Sequence, residues 1–340
     1  MTDGEIAELL RLVIARPDDH DALRVYADAL IERGDVRGEL IVVQLQRRVG
    51  DSPELVARER ELVERLDAEL AAHLAQPRAA FAWRNGFLEA IDFTPVAERT
   101  TLADPIRQLG VLSAARKLRR IVIRLVEPGW GSLGPVTSAI AKVAPQLRAL
   151  RELVFTMSPR DEAGVPLRPM HFGTLEPLCR AIPKLEVLEV AGADYATLRD
   201  LDLSSLKRLV LEDPTAGWVV SALARTPLAN LEELEIHDGN WEHVDLVELL
   251  ERALPLRHLA LVSANPEVVQ NLARVVPASV LFRKVRTFTL GGVPLDTACV
   301  ETLLRHAPRL RQLARFEIDG TFSGEHRRLV DALGDIVVVR

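Results

Sequence analysis

The chain has 340 residues, with 43 basic and 49 acidic side chains and a formal net charge of −6. That length suits two or three ordinary domains or one long repeat array. The charges interleave without a basic block, which argues against a nucleic-acid partner, and no stretch approaches the ~18 apolar residues of a membrane span. Apolar residues reach 48% while aromatics stay at 4%, so the core is expected to be built from Leu, Val, Ile and Ala, as in repeats that bury aliphatic side chains in layers.

The opening "MTDGEIAELLRLVIARPDD" carries acids where a secretory leader needs bases, so a cytoplasmic protein is expected. The two cysteines, Cys179 and Cys299, form neither a disulfide framework nor a paired metal motif. They read as buried free thiols in a reducing compartment.

In residues 5–16, Ile6, Leu9, Leu10, Val13 and Ile14 share one helical face, and Pro17 stops the helix. A second helix follows the cap candidates in "DDHD", with Leu23, Tyr26, Ala27 and Leu30 as its apolar stripe. Gly34 suits the left-handed position after a helix. Asp35 caps a third helix running to about Arg48.

The stretch "ARPDDHDALRVYADALIERGDVRGELI" resembles the short bacterial repeat-companion domain over residues ~5–47. Pro17, Asp18, Asp19, Arg24, Tyr26, Ala27, Asp28, Leu30, Glu32, Arg33, Gly34, Asp35, Arg37, Gly38, Glu39 and Ile41 all fall on its pattern, while Ala29 stands where the family usually carries Trp. The resemblance implies a helical module joined to leucine-rich-type repeats and no catalytic activity. Tyr26 and Asp28, two residues apart, lie on different sides of a helix and are poorly placed for joint acid–base work. The charged residues around them read as helix-end contacts.

Residues 51–75 predict a further helix, with Ser52 as cap, Pro53 at its first position and Leu55, Leu62, Leu66 and Leu70 in its stripe. It is expected to pack on the first repeat.

From Leu88 a phrase of the form apolar–x–x–apolar–x–apolar returns at Leu118, Leu150, Leu185, Leu206, Leu231, Leu256, Val285 and Leu313, every ~21–35 residues. Alternation of this kind predicts strands with one buried face. Helical stretches such as "PVTSAIAKVAP", "PEVVQNLARVVP" and "LDTACVETLLRHAP" lie between them, mostly ending in Pro. "DIVVV" at 335–339 reads as a last strand. The pattern resembles leucine-rich repeats of the ribonuclease-inhibitor-like kind over ~86–340. The implied fold is α/β: a horseshoe solenoid with parallel strands on its concave face, because strands space at ~4.8 Å and packed helices at ~8–10 Å. The usual Asn or Cys after each strand is missing, its places held by Ala193, Pro214, Gly239 and Ala264. Irregular repeats are therefore expected. A doubly wound sheet would need longer apolar runs and a Gly-rich phosphate loop; neither is present. The organisation read here is a helical domain over 1–50, a connecting helix and linker over 51–85, and a repeat array over 86–340.

Chemical motifs are sparse. "GWGSLG" at 129–134 is Gly-rich but has no lysine, and "HDGNWEHVD" groups His237, Asp238, His243 and Asp245 without a strong metal-ligand spacing. No cofactor, metal or catalytic residue is assigned. Trp130, Trp218 and Trp241 recur after strands and are candidates for an aromatic rim. The aperiodic "PRDEAGVPLRPMHFG" at 159–173 reads as an exposed loop. Outward positions of the strands give Arg120, Arg124, Glu152, Glu189, Arg208, Glu212, Glu233, Glu235, His237, His258, Arg315 and Glu317 as the partner-binding face. The expected function is a non-enzymatic scaffold or adaptor binding a protein partner there, with no membrane or nucleic-acid role. A structural module of a larger assembly and an enzyme with an unfamiliar site are the alternatives.

Overall fold

A computed structural model of the chain describes residues 1–75, 78–94, 102–125, 133–157, 170–171, 175–191, 193–194, 201–212, 217–237, 243–319 and 324–339. The chain divides into two compact units, 1–126 with 138–152, and 127–137 with 153–340. Among the described residues, the strands of the first unit pair in the order β1-β2-β3, those of the second in the order β6-β8-β9-β10-β11-β12-β13, and the short strands β5 and β7 pair separately. Among the described residues, no helix is long and apolar enough to cross a membrane.

The first unit opens with four helices, α1 Asp3–Ala15, α2 His20–Ile31, α3 Val36–Val49 and α4 Pro53–His73. Each begins where a side chain can accept an otherwise orphaned backbone N–H: Thr2, Asp19, Asp35 and Ser52 accept from Glu5, Ala22, Arg37 and Leu55. Val13, Leu23, Tyr26, Ala27, Leu30, Ile41 and Leu45 close one core around Phe87. Val36, Leu40 and Val43 close a second against Leu62 and Leu66. Gly38 lies where α3 meets α2: a Cβ there would stand 2.5 Å from the carbonyl oxygen of Ala27. Ala29 is buried, 1% exposed, on the face of α2 that packs inward.

The segment read as a linker contains a strand. β1 Ala80–Arg84 pairs antiparallel with β2 Phe87–Phe93. Their two-residue turn, Asn85-Gly86, has φ of +52° and +68°, as a primed hairpin turn requires. The helices grip this turn. Gln44 accepts from the Gly86 N–H at 3.2 Å and donates to the Trp83 carbonyl at 3.3 Å. Trp83 Nε1 donates to Asp67 at 2.7 Å, Arg48 donates to Asn85 Oδ1 at 2.9 Å, and the Tyr26 ring stacks on Phe87 with centroids 5.8 Å apart. A side chain at Gly86 would meet Ile41 as well as a strained backbone. α5 Ala103–Leu109 and a 3-10 turn at Ser113–Lys117 lead into β3 Arg120–Leu125, which lies parallel to β2. α6 Gly134–Val143 and β4 Glu152–Met157 contribute residues to both units.

In the second unit, strand and helix alternate. β5 Met170–His171, α7 Glu176–Ala181, β6 Val187–Ala191 and β7 Ala193–Asp194 come first. β8 Arg208–Glu212, α8 Gly217–Ala222, β9 Glu233–His237, α9 Val247–Leu250 and β10 His258–Val262 follow. α10 Pro266–Val275, β11 Thr287–Gly291, α11 Thr297–Arg305, α12 Ala307–Leu310 and β12 Arg315–Asp319 continue, and α13 Gly324–Leu333 and β13 Val337–Val339 close the series. From β6 through β8 to β13 the main-sheet pairings are parallel and without register shift. The anchors are buried as the alternation predicts: Leu206, Leu209 and Leu211; Leu231, Leu234 and Ile236; Leu256, Leu259 and Leu261. Towards the C-terminal end Phe288 and Phe316 take the same places and stack at 5.5 Å.

No regular asparagine ladder links the repeats among the described residues. Other side chains reach the carbonyls of the preceding repeat instead. Asn230 donates to Ser204 O at 2.7 Å, Arg309 to Pro277 O at 2.8 Å, and Arg252 to Leu223, Ala224 and Thr226 at 2.7–3.1 Å. Asn265, one place late for the ladder, caps α10.

Both cysteines are buried, and burial pushes each thiol up to about 12, with Asp296 adding to the effect at Cys299. The native protein is expected to stay unreactive to a thiol reagent at neutral pH and to release two thiols only in denaturant; rapid native labelling would contradict this packing. Gly38→Ala should lower the stability to urea by about 1–3 kcal/mol through overpacking. Gly4→Ala, where the added Cβ meets nothing within 4 Å, should leave the unfolding midpoint nearly unchanged.

Candidate functional site

Because the strands of the second unit are in register, their side chains stand in rows. The first positions align Arg208, Glu233, His258, Thr287 and Arg315. The third positions align Glu189, Val210, Glu235, Ala260, Thr289 and Glu317. Neighbours in a row are ~4.8 Å apart along the sheet, so their charges couple directly.

Arg208 is the hub. Its guanidinium lies 2.9 Å from Glu189, 3.0 Å from Glu235 and 3.3 Å from Glu233. The Glu233 approach is ionic only, since Nε finds no hydrogen-bond geometry there. Burial opposes the charge on Arg208, but the three carboxylates outweigh it and hold its pKa above the ordinary value. Glu235 also sits 3.0 Å from His237 Nε2 and 3.9 Å from His258 Nε2. The His237 hydrogen bond, then Arg208 and His258, bring its pKa down to about 2 against the cost of burial. Glu317, 3% exposed, accepts from Thr289 Oγ1 at 3.1 Å and pairs with Arg315 Nε at 2.5 Å.

Between these two carboxylate networks the side chains shrink to Ala260, Thr287 and Thr289, which leaves a groove of about 690 Å³. Arg208, Glu235 and His237 line one side and Glu317 the other, and Arg257 and Arg286 stand among its lining residues. Sequence reasoning missed Arg257 and Arg286 because its template counted only alternate strand positions. Each directly follows the apolar anchor that precedes its strand, the first of two consecutive non-apolar places in the repeated phrase. Thr287 and Thr289 occupied template positions but carry no charge. The third-position residues Val154, Val210, Ala260, Thr289 and Glu317 are nearly inaccessible, so the face is far less solvated than alternation alone implies.

The remaining predicted residues fall elsewhere. Glu212 is exposed at the end of β8. In the first unit Arg124 pairs with Asp92 at 2.7 Å and Arg120 with Glu152 at 3.7 Å, beside a hollow of about 210 Å³. The Asp92 hydrogen bond holds the Arg124 pKa above its ordinary value. Trp130, Trp241, the side chain of Trp218 and all of 159–173 except the backbone of Met170–His171 lie outside the described residues. Asp238 does too, and Asp245 accepts from Ser221 at 3.1 Å. Among the described residues, no group of His, Cys, Asp and Glu is suited to hold a metal ion. Tyr26 is buried with its hydroxyl bonded to Arg37 and Ser113, while Asp28 is exposed; the structure does not bring them together.

The chain matches no protein-family model, and no curated protein matches it. Its structure is similar to the crystal structure of a Bacteroides fragilis protein from a structural-genomics programme, with a TM-score of 0.60 and 15% identity over 69% of this chain and 68% of that one. At that identity the likeness shows the fold alone: a repeat-like α/β arrangement.

Glu235 offers a test of the network. Its folded pKa lies below its ordinary 4.5, so its contribution to stability is present above pH 4.5 and is lost as the pH falls towards 2. Wild-type stability should drop through that window more steeply than that of Glu235→Gln, by up to about one proton in slope. Parallel curves for the two proteins in acid-titrated urea melts would refute the pairing.

Proposed function

We propose that the chain is a non-enzymatic protein-interaction scaffold. In this reading the second unit is an irregular leucine-rich-repeat-like solenoid, the N-terminal helices are a repeat-companion domain, and a protein partner docks on the strand face. The observation that carries it is the groove above Ala260 and Thr289, walled by charges that are already fixed in place. Glu235 and Glu317 are held by Arg208, His237, Thr289 and Arg315, so they act as preorganised charge rather than as proton carriers. Arg257 and Arg286 stand exposed at the groove, where charge complementarity governs the rate and selectivity of association.

The informative mutation lies outside the carboxylate network. Reversing Glu235 would tear open the Arg208 network and confound folding with docking. Reversing Arg257 and Arg286 leaves that network alone. A photo-crosslinking side chain at Thr287 should capture a defined protein from native extract, and the same group at Arg274 on α10 should not. With the partner in hand, Arg257→Glu with Arg286→Glu should weaken Kd by about tenfold or more, equivalent to ~1.4 kcal/mol. Arg274→Glu should leave it unchanged. Equal capture from the helix side, or an unaltered Kd, would refute the strand face as the docking surface.

A further inference from the structure

A cluster of cations in the first unit has no part in the strand-face reading. The hairpin tip Arg84–Phe87 is contacted by two of them. Arg48 Nη2 donates to Asn85 Oδ1 at 2.9 Å, and its Nη1 lies 3.1 Å from His20 Nε2. Neither partner is a carboxylate, so the Arg48 charge meets no opposite charge at either contact. Lys117 Nζ stands 4.6 Å from the centre of the Phe87 ring, a cation–π contact whose ring is backed by Tyr26. Lys117 is half-buried and, among the described residues, makes no hydrogen bond with its three ammonium donors. Arg84, one residue from Asn85, reaches away to Glu89 at 3.1 Å.

These like charges act on one another. Burial comes first, and then Arg84 and Arg48, in depressing the Lys117 pKa to about 8, against the single opposing carboxylate of Asp18. Holding a desolvated ammonium beside two guanidiniums is unfavourable. The tight Asn85-Gly86 turn enforces it, because Gln44 pins the backbone at Gly86 and Arg48 holds the Asn85 side chain. A group bearing negative oxygens would relieve the repulsion and satisfy the idle ammonium donors at once.

We propose that Lys117, Arg48 and the hairpin tip at Arg84–Asn85 form a binding site for a phosphate group. A tetrahedral oxyanion can accept from the ammonium and from a guanidinium together, and its second charge suits a cluster of this density better than a lone carboxylate does. Linkage makes the site measurable: an anion that prefers the charged amine raises the Lys117 pKa by the same coupling with which protonation tightens the anion.

The experiment reads amine reactivity. The chain has five lysines, Lys117, Lys142, Lys184, Lys207 and Lys284, so acetylation by a limiting reagent can be followed at each by peptide mass spectrometry. At about pH 7.5 Lys117 should react faster than the exposed Lys184 and Lys284, because more of it is unprotonated. Inorganic phosphate should slow Lys117 saturably, by roughly fivefold, with half-effect in the millimolar range expected of one small anion. Lys184 and Lys284 should not respond. Sodium chloride and acetate at matched ionic strength should not reproduce the effect, and Arg48→Gln should abolish it. Since Arg48 also steadies the turn, Arg84→Gln is the second variant and should weaken protection without touching Asn85. A phosphoserine peptide and its unphosphorylated form distinguish the source of the phosphate: protection by the phosphopeptide at lower concentration than by free phosphate indicates a protein-borne group, and equal potency a free anion. Absence of phosphate protection at about 50 mM, equal protection by acetate or chloride, or full protection in both folded variants would overturn the proposal.

Discussion

The second unit depends on one repeated hydrogen-bond device at the start of its strands. Two successive backbone N–H groups donate to a single carbonyl just ahead of the preceding strand: Lys207 and Arg208 to Glu186, Glu232 and Glu233 to Lys207, Arg257 and His258 to Glu232, Arg286 and Thr287 to Arg257, and Ala314 and Arg315 to Arg286. Each bond measures 2.7–3.2 Å. Forking at one carbonyl fixes where every strand begins relative to its neighbour, and in a parallel pair nothing else sets the register so locally. The leucine layers then stack because they must: a slip of one residue would turn every anchor to the opposite face.

The same constraint decides the surface. Once registers are locked, a side chain cannot avoid its row neighbours at ~4.8 Å, and a row of one sign would repel along its length. The rows are accordingly mixed. Arg208 is flanked by Glu233 and then by His258 and Thr287, while Glu235 and Glu317 are separated by Ala260 and Thr289. Mixing signs lets the carboxylates find partners inside the sheet, and this is why Glu235 and Glu317 lie so low in it. The small neutral residues between them are equally necessary, because they make the floor of the groove. Specific interior charge and an accessible hollow therefore come from one pattern of substitution on a fixed backbone.

The repeated phrase was legible because alternation leaves a two-residue period that no helix can imitate, and nine occurrences reinforced one another. Helix starts were legible from Asp19, Asp35 and Ser52 for a local reason: the capping side chain and the N–H it serves are at most three residues apart. What failed was longer range or singular. β1 occurs once, so no repeat announced it, although Asn-Gly between "FAWR" and "FLEAI" was a sufficient hairpin signal. Arg257 and Arg286 precede their strands and escaped a template drawn on the strands themselves. The Arg252 and Arg309 contacts to carbonyls about thirty residues earlier are set by tertiary distance. They replace the asparagine ladder whose absence the sequence did reveal.

The first unit meets a different problem, how the sheet begins. A parallel strand such as β2, with β3 on one side, would present its other edge as a row of unpaired amides and carbonyls. β1 folds back on that edge as an antiparallel partner, which only a tight turn permits, since a parallel neighbour would need a full crossover. A two-stranded hairpin has little stability of its own, so the turn must be held from outside. The helices do this with side chains chosen for reach: Gln44 on Gly86, Arg48 on Asn85, Tyr26 on Phe87 and Asp67 on Trp83. The motif residues of α2 and α3 find their reason here. Gly38 lets α3 approach α2 to the distance at which Tyr26 and Ile41 enclose Phe87. Asp35 caps α3 and pairs with Arg37, which in turn holds the Tyr26 hydroxyl. The charge and aromatic pattern of this segment is thus a clamp on a strand edge, and the crowding of Arg48, Arg84 and Lys117 around the turn is a by-product of that clamp available for use.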